Sequence, residues 1–306
     1  MGAFVLKRFA QAIVSLLLMS IFIFLLVRLT GDPGHVLLPL DATPEMYEHL
    51  EKEMGLDKPL FVQWVKWTGK MIRGDFGTSM ARHVPVTQLM AERFPATLML
   101  AAAGFFVTLI IGLPLGVMSA ARRGGKLDVT ARIFAVLGQS VPLFWLGIML
   151  MMIFPVRLGI LPAGGKSGFT SIILPAVTMG WFTTAGLLRL TRSSMLETLS
   201  SEYVKLARIK GLSESRVVWK HAFKNAALPV LTFASLILFI FVTGAIVTET
   251  VFSWPGVGTL VLQAVKNRDF VVVQALVLVI SAIYMFGNLA VDILYAFLNP
   301  RIRYGD

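Results

Sequence analysis

The run best placed to do chemistry is Gly159-Ile-Leu-Pro-Ala-Gly-Gly-Lys-Ser167, which has the look of a loop that cradles phosphate. A phosphate loop needs four residues between its first glycine and the Gly-Lys pair, so that backbone amides close on the phosphates while the lysine reaches them. Here five residues intervene, Ile160 to Gly164. The spacing excludes nucleotide binding at this run; if ATP drives the protein, another chain must bind it. The four histidines, His35, His49, His83 and His221, fall in no H-E-x-x-H arrangement and read as dispersed surface residues rather than metal ligands. No G-x-S-x-G elbow is present. With no cysteine there is no thiol nucleophile, disulfide or cysteine-metal site. The expectation is a chain with no catalytic residue, bound cofactor or metal of its own.

The remaining chemistry is that of contact. Between Arg189 and Lys224, eight Lys/Arg residues fall in a polar stretch flanked by apolar segments too long for ordinary core helices. Within it, Glu202 to Lys210 holds good helix formers and no breaker, and Gly211 is a fit terminator. On such a helix Tyr203, Leu206 and Ala207 share one face, while Lys205, Arg208 and Lys210 leave it. Ser213 and Glu214 can start a further helix. The stretch reads either as an interfacial helix held by anionic lipid or as a docking surface for a partner.

The elements that position this stretch are membrane spans. Of 306 residues 56% are hydrophobic, with mean hydropathy +0.77, above the ~45–50% of soluble domains. The net charge of +11 is not gathered in a stripe for nucleic acid; it clusters in the gaps between apolar runs. Six such runs are candidate spans: Phe9 to Leu29, Ala96 to Ser119, Ile133 to Val156, Ser171 to Leu190, Val230 to Thr250 and Val271 to Phe297. The first is long enough to cross a ~30 Å hydrocarbon core and no small-x-small cleavage site follows it, so it reads as a retained helix rather than a signal peptide. The fourth is the weakest, interrupted by Pro175, Gly180 and Gly186. Lysine and arginine concentrate in the short loops of one side, which places both termini in the cytoplasm and residues 31–95 outside. The chain thus divides into a first helix at 1–30, an extracytoplasmic segment at 31–95, and a five-helix region at 96–306 with its polar loop at 191–229. In the outer segment one helix is expected from Thr43-Pro44-Glu45 to Gly55 and another from Leu60 to Ile72. Polar residues at membrane depth are Gln139, Ser140, Thr243, Gln274, Asn288 and Asp292. Gln139, Ser140 and Asn288 are candidates for a translocation path, or for interhelical glue.

Tyr203-x3-Ala207-Arg208-x-Lys210-Gly211-Leu212-Ser213, followed by His221-Ala222-x2-Asn225-Ala226-x-Leu228-Pro229-Val230, resembles the coupling loop of ABC importer permeases. The closest likeness is to the branch that imports dipeptides, oligopeptides, glutathione, opines and nickel complexes. Further tags appear in the same order: Gly31-Asp32-Pro33, Leu56-Asp57-Lys58-Pro59-Leu60 with Gln63, Gly74-Asp75-Phe76-Gly77-x-Ser79, and Arg93-Phe94-Pro95-Ala96-Thr97. Pro142-x-Phe144-Trp145, Glu249-x2-Phe252-x2-Pro255-Gly256-x-Gly258 and Asn299-Pro300-Arg301 complete them. One departure stands out: Lys205 occupies the position of the glutamate in the general importer motif, and Glu202 lies three residues earlier.

The resemblance implies an all-α integral membrane fold. It has six transmembrane helices, an extracytoplasmic segment between helices 1 and 2, and a cytoplasmic coupling loop between helices 4 and 5. It implies that Tyr203, Leu206, Ala207, Arg208, Lys210, Gly211, Leu212 and Ser213 seat a coupling helix on an ATPase. Phe252, Trp254, Pro255 and Gly256 would meet a substrate-binding protein, although Trp254 by itself reads first as a membrane-interface anchor. The implied partners are a second homologous permease chain, one or two cytoplasmic ATPase subunits carrying ATP and Mg, an extracytoplasmic binding protein and membrane lipid, with no nucleic acid. The setting would be a bacterial inner membrane and the cargo a short peptide or peptide-like solute, with a nickel chelate or an opine as alternatives. An ion-coupled secondary transporter is the rival class, weakened by the scarcity of deep carboxylates; an intramembrane enzyme would need a histidine within a span.

Overall fold

Proline and glycine decide where this helical chain bends and where it packs closely. A computed structural model describes residues 2–30, 43, 45, 46, 48, 52 and 57–298. Most of the helix expected from Thr43 to Gly55 lies outside those residues, as do Gly31-Asp32-Pro33, Leu56 and Asn299-Pro300-Arg301. The helices are α1 (Gly2–Thr30), α2 (Leu60–Ile72), α3 (Val86–Ala121), α4 (Lys126–Ser140), α5 (Leu143–Met151), α6 (Ile173–Leu199), α7 (Glu202–Ile209), α8 (Glu214–Arg216), α9 (Phe223–Gly244), α10 (Ile246–Val251), α11 (Val257–Lys266) and α12 (Phe270–Leu298). Among the described residues, five helices are long and apolar enough to cross a membrane, or six if α4 and α5 count as one bent span.

Packing divides the chain into two units, Met1–Ala96 with Gly256–Leu289 and Thr97–Pro255 with Ala290–Asp306. In the first unit, Met71, Val86, Leu89 and Met90 share a core with Val257, Leu260, Val272 and Leu276. Helix α2 has the bounds its apolar spacing predicts, and Trp64 Nε1 donates to Ser20 Oγ on α1 at 3.2 Å. The Gly74–Ser79 tag proves to be a clasp. Asp75 Oδ1 accepts the Gly77 amide at 3.0 Å, and Gly77 has φ +78, with Val271 Cγ1 only 3.0 Å from where a Cβ would stand. Ser79 Oγ then donates to Asp269, which also accepts the Met80 and Ala81 amides at 3.2 Å each.

The second unit is organised around α6, which is also the least apolar of the five spans, as its sequence suggests. The span expected to be weakest is the innermost, with 72% of its most apolar window buried. Its glycines are contacts rather than interruptions. A Cβ on Gly180 would stand 3.0 Å from the Gly104 carbonyl, and one on Gly186 would stand 3.3 Å from the Phe233 ring. Facing glycines do the same from the other side: Gly116 would meet Thr191 Cβ at 2.6 Å and Gly138 would meet Ala185 Cβ at 2.5 Å. Small residues let membrane helices approach until backbones touch. Pro175 sits in the first turn, where its missing N–H has no intrahelical partner to lose.

Two expected spans are not continuous. The third breaks at Val141-Pro142, where α4 and α5 meet at 104°. Proline pushes the residue before it out of the helical region, and Val141 accordingly has ψ 121. Pro155 lies in a wide π-helical turn, Met152–Arg157, that ends this segment. The fifth is divided at Ala245 into α9 and α10.

Candidate functional site

The loop between α6 and α9 is built in two halves with opposite faces. Ser201 starts α7 in extended conformation, and its carbonyl accepts the Val204 and Lys205 amides. Glu202 in the first turn and Arg208 in the last suit the helix dipole. The buried face is Val204 and Ala207, packed on Val117 and Ala120 of α3, Met195 of α6, and Val217, Val218, Ala222 and Ala226 beyond. The outward face carries Tyr203 (44% exposed), Leu206 (51%) and Ile209 (81%). The sequence reading put Ala207 with Tyr203 and Leu206; the structure turns Ala207 inward and puts Ile209 at the surface instead. The reason is the 100° step of the helix: Ala207 lies three residues from Val204, on the core side.

The end of α7 is a full Schellman motif. The Gly211 amide donates to the Arg208 carbonyl at 2.9 Å and the Leu212 amide to the Ala207 carbonyl at 3.4 Å. Gly211 has φ +77, which a side chain at that position resists. Leu212 packs against the same cluster that receives Ala207, the apolar contact that accompanies this motif. Ser213 then opens α8 in extended conformation.

Charges brace the loop along its surface. Arg208 makes a forked contact to Glu214, Nε to Oε2 at 3.1 Å and Nη2 to Oε1 at 2.7 Å. Glu214 holds the Arg208 guanidinium above its ordinary pKa, so the cation stays charged. Lys205, the residue that departs from the general importer motif, pairs with Glu202 at 2.8 Å. Both pairs are exposed, and such pairs contribute only ~0.2–1 kcal/mol each. Lys210 is exposed at the loop's tip. Asn225 donates to the Tyr203 hydroxyl at 2.8 Å and so ties the outward face of α7 to α9.

The turn from Phe252 to Gly256 behaves differently. Phe252 is 1% exposed and Trp254 is fully buried. Neither offers a surface to a binding protein or a membrane interface; this corrects the sequence reading of both residues. Gly256 is buried as well, and Pro255 is half-buried. The exposed residue is Ser253, held at φ 50. Trp254 is drawn in because its amide donates to the Glu249 carbonyl at 2.8 Å, closing the end of α10. Glu249 is itself buried and accepts the Thr97 hydroxyl at 2.6 Å. The glycine-rich run at 159–167 belongs to this turn. The Gly165 amide donates to the Phe252 carbonyl at 2.8 Å, and a Cβ on Gly164 would stand 2.6 Å from that oxygen. Close backbone approach explains Gly164, and a left-handed backbone, φ +65 and +75, explains Gly159 and Gly165, as phosphate does not.

The polar residues at depth are placed singly. Ser140 donates to the Val136 carbonyl at 2.9 Å, a bond within its own helix. Gln139 is half-buried beside the break at Val141-Pro142, and Asn288 is half-buried in α12. Sequence spacing did not reveal Asp128, Arg192 and Ser119, 64 and 73 residues apart along the chain, which form a buried ionic cluster. The one signal was an aspartate set among Arg122, Arg123, Lys126 and Arg132.

Known proteins resemble this chain. Residues 112–304 match the family described as binding-protein-dependent transport system inner membrane component, and residues 1–101 match its N-terminal companion. An oligopeptide transport system permease of Bacillus subtilis is 37% identical over 99% of this chain and all of its own length. A glutathione transport system permease of Salmonella paratyphi A is 40% identical, covering 98% of this chain and 99% of its own. A probable peptide ABC transporter permease of Sinorhizobium fredii is 39% identical over 99% of this chain. Among solved structures, the inward-facing MetNI methionine ABC transporter aligns with a TM-score of 0.57 at 18% identity, covering 70% of this chain and 97% of that one. This last match concerns the fold alone.

Proposed function

Because the chain belongs to the family of binding-protein-dependent transport system inner membrane components, we propose that it is the translocation subunit of an ATP-driven importer of short peptides or peptide-like solutes. The observation that carries the reading is the α6–α9 loop: an apolar outward face of Tyr203, Leu206 and Ile209, backed by buried Val204 and Ala207 and stopped by Gly211. A short helix fixed on its inner side and open on its outer side transmits a rigid-body movement. Relatives named for peptides, oligopeptides and glutathione support the cargo class.

In this reading the chain performs no chemistry. ATP and Mg sit in one or two cytoplasmic ATPase subunits that receive α7. Hydrolysis there biases the population between inward-open and outward-open arrangements, which requires only a difference in contact between the two states. A second, homologous permease chain completes the path, and an extracytoplasmic binding protein delivers the solute. Surface left for that delivery on the 252–256 turn is Ser253 and Pro255, not the aromatic rings. The loop's excess of cations supports a cytoplasmic position for it and for both termini at the inner membrane.

The test is a tagged purification of the chain from its native membrane in mild detergent, with partners identified by mass spectrometry. The expected result is a second multi-span chain and at least one ATPase. Recovery of this chain alone, stable and homo-oligomeric, would overturn the reading and favour an ion-coupled carrier.

A further inference from the structure

The carboxylate of Asp128 is 1% exposed, although its turn is crowded with cations. It accepts Ser119 Oγ at 2.6 Å, the Gly124 amide at 3.0 Å, and Arg192 through Nε at 2.7 Å and Nη2 at 3.0 Å. Arg192 Nε also reaches Ser119 Oγ at 3.1 Å, and Arg132 stands 3.8 Å from the carboxylate at the rim. Three helices therefore meet at one charge: α3 through Ser119, α4 through Asp128 and α6 through Arg192. The contacts that seat α7 lie within a turn of it. Val204 and Ala207 rest on Val117 and Ala120 of α3 and on Met195 of α6.

We propose that Asp128, Arg192 and Ser119 form the joint through which displacement of the α6–α9 loop reaches α3 and α4, a role that rests on the coupling reading above. A buried ion pair is poor evidence of stability, because apolar residues of similar volume fill such a site as well or better. What it supplies is direction. Apolar contact lets two helices slide or roll, whereas a forked guanidinium–carboxylate contact fixes their register. Flanking contacts leave no slack: Gly116 lies against Thr191 and Gly138 against Ala185. A push entering at α7 passes along α6 to Arg192 and from there to both α4 and α3. Asp128 and Arg192 are positioning residues; they touch neither solute nor nucleotide.

This chain has no native cysteine, so labels can be placed in it at will once partner subunits are rendered cysteine-free. Spin labels at Lys126→Cys and Ser200→Cys report the separation of α4 from the end of α6 in the assembled transporter, with and without vanadate-trapped ATP. The wild-type distribution should be narrow and the same in both states. In the Asp128→Leu/Arg192→Met pair, which keeps an apolar filling, it should broaden or differ between states, and ATP hydrolysed per labelled trialanine imported should rise several-fold. If that pair does not fold, Asp128→Asn, which retains an acceptor toward Gly124, carries the same test. A wild-type separation that changes with ATP, or a variant with wild-type separation and stoichiometry, overturns the joint. Retained ATPase alongside either result leaves the coupling reading standing; a wild-type assembly without ATPase overturns both.

Discussion

Two glycine-containing turns, each close to aromatic residues and each joining apolar helices, were chosen from the sequence as contact surfaces, and the structure treats them in opposite ways. At the α6–α9 loop, Tyr203 and Trp219 remain about half exposed while the small residues Val204 and Ala207 go inside. At the 252–256 turn, Phe252 and Trp254 go inside and a serine is left at the surface. The first turn holds its form by the Gly211 cap and the burial of small side chains, and so can leave large ones for another molecule. The second holds its form by burying them. An aromatic residue in a loop identifies a partner surface only when the chain has another way to stabilise that loop.

The contrast can be broken, and the largest effect should come at Gly211. Proline there cannot adopt φ +77 and removes the amide that closes on Arg208; solute uptake should vanish while the chain still inserts. Uptake at the wild-type level, or failure to insert, would refute the assigned role. Next, Trp254→Ala should cost about 3–5 kcal/mol, as for other buried large-to-small changes. It should lower the melting temperature without releasing ATPase from the folded fraction. Arg208→Glu with Lys210→Glu should show the reverse: ATPase is lost on purification, while stability changes by no more than ~1 kcal/mol, the range of an exposed pair. Leu206→Ala is a gentler form of that test. It should alter stability by less than about 0.5 kcal/mol, yet measurably weaken ATPase retention. The smallest effect is expected at Ser253, where glycine relieves a left-handed backbone and should raise stability by a few tenths to ~1 kcal/mol; a fall in melting temperature would show that the hydroxyl matters.

Much of the layout was legible because it depends on local rules. The bounds of α2 follow from apolar spacing, the end of α7 from its glycine, and the presence of spans from runs of apolar residues. What was not legible depends on encounters between distant segments. Hydropathy sees Pro142 as one residue in an apolar run and carries no angle, so the 104° bend was hidden. Gly180 and Gly186 counted against the fourth span because local propensity penalises glycine, whereas a facing carbonyl and a phenyl ring stand within 3.0 and 3.3 Å of where their side chains would begin. Trp254 was placed outside because amphipathic rings favour interfaces, and no periodic signal marks a turn that folds inward. Asp128 needed a partner 64 residues away to reveal its purpose.

The enclosure of α6 also bears on how the lipid environment acts on this protein. The stretch Phe169–Leu199 has 31 residues, about 46 Å at 1.5 Å per residue. A helix of that length facing acyl chains would have to tilt or thicken the bilayer around it. Shielded by its neighbours, α6 is insulated from membrane thickness, while α1, with 22% of its apolar window buried, is not. Mismatch strain therefore falls on helices that lack such shielding, and the helix that leads into the loop keeps its geometry in membranes of differing composition.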